Sequence, residues 1–223
     1  MSEFMAKAAR RWSALSTVFL FMSAGSAMAH PHILIKARAK IQFNPAGQLI
    51  GVRNIWNFDD AFSAYAIQGY DSKRDGKPTR QDLQPLADIN VKSLSVYNFF
   101  TTMKIDGVKT PLGKPENYWD VFDHDTLTLR FTLPVERPVS MAGKTLEVDV
   151  YDPEYFAAIK FANMHPIRLV GGKGCTVVVH RPKPLDASIA SKLAVIPVTQ
   201  RVLPKDLSAI TETLVNDAVI SCP

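Results

Sequence analysis

Apolar side chains alternate with polar ones along Ile33, Ile35, Ala37, Ala39, Ile41 and Phe43, with His32, Lys36, Arg38, Lys40 and Gln42 between them and Leu34 as the one interruption. A period of two sets every apolar side chain on one face of an extended chain, which predicts a strand with one face in a core and the other in water. Asn44-Pro45-Ala46-Gly47 is turn chemistry, and Ile50, Val52, Trp56 and Phe58 then alternate in a second strand, so the pair predicts an antiparallel hairpin. The pattern returns in Leu127, Leu129, Phe131 and Leu133, again in Leu146, Val148 and Val150, and more briefly over Ile159–Phe161 and Cys175–Val179. Strands that are apolar on one face must bury it against a second layer. The expected fold is therefore α+β, mainly β: an immunoglobulin-like antiparallel β-sandwich.

Residues 59–100 break the alternation and read as a helix-loop-helix insertion. Asp59 or Asp60 can cap a first helix over Ala61–Tyr70, and Leu83, Leu86, Leu94, Tyr97 and Phe100 give the second an apolar stripe. The loop between them fits a twelve-residue calcium frame, with Asp71, Asp75 and Asp82 at the first, fifth and twelfth places and Gly76 at the sixth. Lys73 stands where an oxygen ligand belongs, Pro78 at the eighth place, and Asp82 is shorter than the usual glutamate. The loop reads as a degenerate EF-hand in which the Lys73 ammonium replaces the ion, and calcium is not the expected ligand.

At the start of the chain, Lys7, Arg10 and Arg11 precede an apolar run from Ala14 to Met22 and the small-residue exit Ala27-Met28-Ala29. This is the layout of a secretory signal over residues 1–29, cleaved after Ala29. The run is shorter than the roughly 20 apolar residues of a bilayer-spanning helix, and no later window supplies them. A periplasmic chain of residues 30–223, one mainly-β domain with no membrane span, is the expected product. Export removes Lys7, Arg10, Arg11 and Glu3 and lowers the formal charge from +5 to +3. That charge, with no basic cluster interleaved with aromatics, gives no argument for a nucleic-acid partner. The two cysteines, Cys175 and Cys222, are expected to pair in an oxidising compartment. Their bond tethers residues 181–223, which read as an irregular tail with a short helix on Leu207, Ile210 and Leu214.

Cleavage after Ala29 makes His30-Pro31-His32 the amino terminus. Residues two apart share a strand face, so both imidazoles fall on the polar side with Lys36, Arg38 and Lys40. Imidazole binds zinc, nickel and copper, and a terminal histidine adds its amine. Pro31 has no amide proton to lose, which argues against the square-planar capture of copper or nickel by the first residues alone. The chelate then needs side chains from elsewhere: Asp123, His124, Asp125 and His165 are the candidates, with His180 behind them. Zinc or nickel is the expected ion, copper less so. No GxSxG, HExxH or P-loop occurs, and the chain does not read as an enzyme.

His30-Pro31-His32, Trp56-Asn57-Phe58-Asp59 leading to Phe62-Ser63-Ala64-Tyr65, the Asp71–Asp82 loop and Tyr151-Asp152-Pro153-Glu154-Tyr155-Phe156 together resemble the domain-of-unknown-function family 1007, over most of the exported chain. The resemblance implies the periplasmic component of an uncharacterised ABC-type transport system, of a kind that accompanies permeases of the nickel and cobalt type or zinc-uptake systems. It implies metal handling at the opening histidine pair, with an inner-membrane metal permease or ABC transporter as partner. Members often carry a fuller EF-hand-like loop, and with Lys73 in this one no calcium function is carried over. The expected function is an accessory metal-binding protein of such a system. The alternative is a ligand-free interaction module that presents Trp56, Phe58, Phe62 and Tyr65 to a permease, although large apolar side chains are first expected in a core.

Overall fold

The computed structural model describes residues 31–197, 200 and 202–223, so residues 1–29, where a secretory signal is expected, and His30 lie outside the described residues. β1 (Ile33–Phe43) and β2 (Gln48–Phe58) form the expected hairpin, followed by α1 (Asp60–Ala66) and α2 (Arg80–Ser95). Next come β3 (Thr101–Ile105), β4 (Val108–Lys109), β5 (Glu116–Asp123), β6 (Thr126–Ser140), β7 (Thr145–Val150), β8 (Ala157–Phe161), β9 (Ile167–Val170) and β10 (Thr176–His180). The chain closes with α3 (Ala187–Ala194), α4 (Lys205–Thr211) and β11 (Asn216–Ser221).

The strands form a mainly-β sandwich of two sheets. One runs β5-β6-β2-β1, and β8 and β9 follow one another along the free edge of β1. The other runs β10-β11-β7-β3-β4 and is antiparallel throughout. The first sheet departs from all-antiparallel pairing at one edge, where β8 and β9 are parallel to β1. Parallel neighbours need a long connection, and everything from β2 to β7 lies between β1 and β8. The inward faces fuse into one core, in which Ala37, Ile41, Trp56, Leu129 and Phe131 of the first sheet meet Met103, Leu146, Val148 and Ile220 of the second. Burying each large side chain is worth about 1.5–3 kcal/mol, which is what holds the one-sided strands face to face.

The register of β2 differs from simple alternation. Leu49 and Val52 are both fully buried and Ile50 is half-exposed, because pairing with β6 slips between Leu49 and Gly51. A Cβ on Gly51 would lie 2.6 Å from the Leu133 carbonyl oxygen, so only glycine lets β6 approach there. The helices are shorter than expected. α1 stops at Ala66, and α2 at Ser95, with Phe100 in a separate 3-10 turn. α2 begins with a capping box between Thr79 and Asp82, and buries Leu83, Leu86, Ala87 and Val91.

Residues 181–223 are no loose tail. β11 lies between β10 and β7 in the second sheet, burying Ala218 and Ile220 completely. Buried Asn216, at its start, clips the sheets together. Its amide donates to the carbonyls of Val150 (3.3 Å) and Ile159 (2.7 Å), and its oxygen accepts from the Phe161 N–H (2.9 Å). Cys175 and Cys222 form a disulfide beside the Thr176–Ser221 pair of β10 and β11. With the two cysteines 47 positions apart in sequence, the closed loop stabilises the fold by about 4 kcal/mol in the chain-entropy model. α3 and α4 make a satellite core of Leu193, Ile196, Leu203 and Leu207, against which Tyr155 packs. No helix among the described residues is long and apolar enough to cross a membrane.

Candidate functional site

Two buried or half-buried aspartates organise the end of the sandwich where β1 begins. After β2 has sent Trp56 and Phe58 inward, Asp59 turns the chain into α1. Its Oδ1 accepts the Phe62 N–H (2.9 Å), while its Oδ2 accepts the Leu34 N–H (2.7 Å). One carboxylate thus caps a helix and fixes the start of β1. Asp152 does the corresponding work in the β7–β8 loop, accepting the Glu154 and Ala157 N–H groups at 2.9 Å each. Burial raises its pKa against the opposing pull of those bonds. The satellite helices clamp the same loop, since Thr211 donates to the Pro153 carbonyl at 2.8 Å.

The loop so held receives the amino-terminal segment. His32 donates its backbone N–H to the Phe156 carbonyl (2.9 Å), and its ring lies 4.6 Å from the Phe156 ring. Burial lowers the His32 pKa, which favours the neutral imidazole, the form that ligates metals. Below this rim is a cavity of about 230 Å³ lined mostly by apolar side chains, among them Trp56, Phe58, Phe62, Leu94 and Phe156, with Asn90, Asp152 and Glu154 as polar members. The Trp56 Nε1–H is buried without a hydrogen-bond partner among the described residues. Asn90 donates to Asp120 Oδ2 (3.1 Å); Asp120 is fully buried on β5, and its pKa is pushed up to about 7 by desolvation, with the Asn90 bond opposing.

The other expected ligands lie elsewhere. His124 is in the β5–β6 turn with its side chain 92% exposed, its Nδ1 2.9 Å from Asp123 Oδ2, and Asp125 beside it is exposed as well. β2 lies between that turn's strand β6 and β1. His165 borders a dimple with Arg38, Lys40, Arg130 and Arg168, surroundings that oppose a second cation. His180 Nδ1 is 2.8 Å from Asp217 Oδ2 on the other sheet. Among the described residues no group of three or more His, Cys, Asp or Glu converges as a metal cage. In the Asp71–Asp82 loop the carboxylates bind the loop itself: Asp71 accepts from the Gly76 N–H (2.7 Å), Asp75 from Lys77 (2.9 Å), and Asp82 from the Thr79 N–H (2.8 Å). Hydrogen bonds from Thr79 and Ser72, with a smaller contribution from the Lys73 charge, hold the Asp82 pKa down.

Of the four aromatics considered as a docking surface, Trp56 is fully buried, Phe58 is buried and Phe62 lines the cavity, while Tyr65 is 72% exposed. Asp59, Asp152 and Glu154 carry no functional signal in their residue chemistry alone. Their signal was membership of the segments that carry the family resemblance. Two of those segments, Trp56–Phe62 and Asp152–Phe156, distant in sequence, meet at this rim and cavity, while the Asp71–Asp82 loop contributes nothing to its lining.

A family model described as "Protein of unknown function (DUF1007)" matches residues 15–222. An uncharacterized protein of Haemophilus influenzae is 29% identical over 150 residues, covering 65% of this chain and 68% of that protein.

Proposed function

The chain belongs to this family of proteins of unknown function, and from that premise we propose that it is an exported, periplasmic accessory protein of a transition-metal transport system. It holds one zinc or nickel ion through His30, His32 and the terminal amine, and serves an inner-membrane metal permease or ABC transporter. The observation that supports this reading is the placement of His32. Its strand start is bonded to Asp59 through Leu34 and to the Phe156 carbonyl, and burial lowers the pKa of the ring. Preorganised imidazole with a carboxylate nearby suits zinc and nickel. Glu154, half-buried two residues before Phe156, is the carboxylate that completes the set, in place of His124, Asp123, Asp125 and His165.

Metal titration of the mature chain tests the proposal. About one ion per chain is expected, with affinity lost in a His30→Ala/His32→Ala double variant, lowered about 10- to 100-fold in Glu154→Gln, and kept in His124→Ala and His165→Ala. A double variant that titrates like the parent removes the site. The apolar cavity under the rim favours a second reading, in which a permease segment inserts there and no ion is held; co-purification with a flat titration supports that one instead.

A further inference from the structure

The outer face of the first sheet is basic to a degree that the chain's overall charge conceals. Strands β1, β2, β8 and β9 carry Lys36, Arg38, Lys40, Arg53, Lys160 and Arg168 and not one acidic residue. The register aligns them. Arg168, Lys40 and Arg53 lie opposite one another across three strands, Lys160 lies opposite Lys36, and Arg130 of β6 follows beside Ile55. Like charges directly opposite each other destabilise a sheet. Among the described residues the ion pairs are those of Lys104, His124 and His180, and none lies on these strands. Arg38 and Arg53 bond only neutral partners there, Asn57 at 3.2 Å and Thr132 at 3.0 Å. The sheet's carboxylates lie off these strands: Glu116, Asp120 and Asp123 on edge strand β5, with Asp120 turned inward, and Glu136 towards the far end of β6.

We infer that this face docks on an anionic phospholipid surface. The cations are spread over a sheet instead of gathered round one small anion, which matches a planar array of phosphates. Leu34, Val170 and Met164 are 54%, 47% and 74% exposed around its margin, apolar groups suited to the headgroup boundary. Single-stranded nucleic acid is a poorer match, because stacking needs open aromatic faces. Trp119, an aromatic beside this face, is already covered by the Arg80 and Arg53 guanidiniums, at 4.2 Å and 5.6 Å. This inference is independent of the metal site.

Co-sedimentation of the mature chain with vesicles of phosphatidylglycerol and phosphatidylcholine tests it. Binding is expected to rise with the phosphatidylglycerol fraction, to vanish on pure phosphatidylcholine, and to weaken as salt shortens the Debye length from about 10 Å at 0.1 M to about 3 Å at 1 M. With each basic side chain near the surface worth roughly fivefold, Lys40→Gln/Arg168→Gln should lose about 25-fold and Lys40→Glu/Arg168→Glu more than that. The charge-matched control Lys92→Glu/Lys109→Glu, at exposed positions off that face, should stay within about threefold. Thermal unfolding of each variant separates lost binding from lost fold. Equal losses in test and control variants, no dependence on phosphatidylglycerol, or binding to an oligonucleotide or an acidic peptide without binding to vesicles overturns the inference.

Discussion

Asp120 shows how a single buried carboxyl shapes the behaviour of the chain. Its pKa is pushed from 3.8 to about 7 by burial, so the fold prefers it protonated. A group raised in the folded state contributes its full stability below the unfolded value and loses it as pH climbs through the folded one. Stability should therefore decline between about pH 4 and pH 7, by at most about 4 kcal/mol at 1.36 kcal/mol per pH unit. Asp152, raised in the same direction, adds to that slope. Urea unfolding across this range should show a clearly shallower decline in Asp120→Asn than in the parent; parallel profiles mean that the carboxyl is solvated or paired in a way its surroundings do not indicate.

At the scale of elements, alternation made β1, β2, β6 and β7 legible, because each buries one face of an ordinary strand. It failed at Ile50, where a bulge shifts the parity of β2, and Gly51 was the only local sign of it. Gly51→Ala should cost on the order of 1–3 kcal/mol, since Leu133 and Pro134 backbone atoms fill the place of the new methyl. A melting temperature equal to the parent's would show that β6 can move aside. β11 escaped detection for a different reason. Its buried positions are polar Asn216 and only two apolar residues, Ala218 and Ile220, and neighbours far away in sequence, β7 and β10, supply the burial that makes the segment a strand. β5 carries Tyr118, Trp119, Val121 and Phe122 on both of its faces, so no period of two survives in it.

Across the whole molecule, the pattern that revealed β1 also hid its most charged surface. The cations of β1 stand two residues apart, and no linear cluster exists until β2, β8 and β9 bring theirs alongside. The candidate metal site was legible to the same partial extent. His30 and His32 stand out by residue type and by the expected cleavage point, and the structure adds that His32 is held by the β7–β8 loop through Phe156. Coordination by the histidines decides the proposal and is directly observable. Imidazole nitrogen shifts of all five histidines, recorded as zinc is added to the nitrogen-15-labelled mature protein, provide that observation. His30 and His32 should move together and saturate at about one equivalent while His124, His165 and His180 hold still; saturable shifts at His124 or His165 with His32 unmoved would contradict the proposed site.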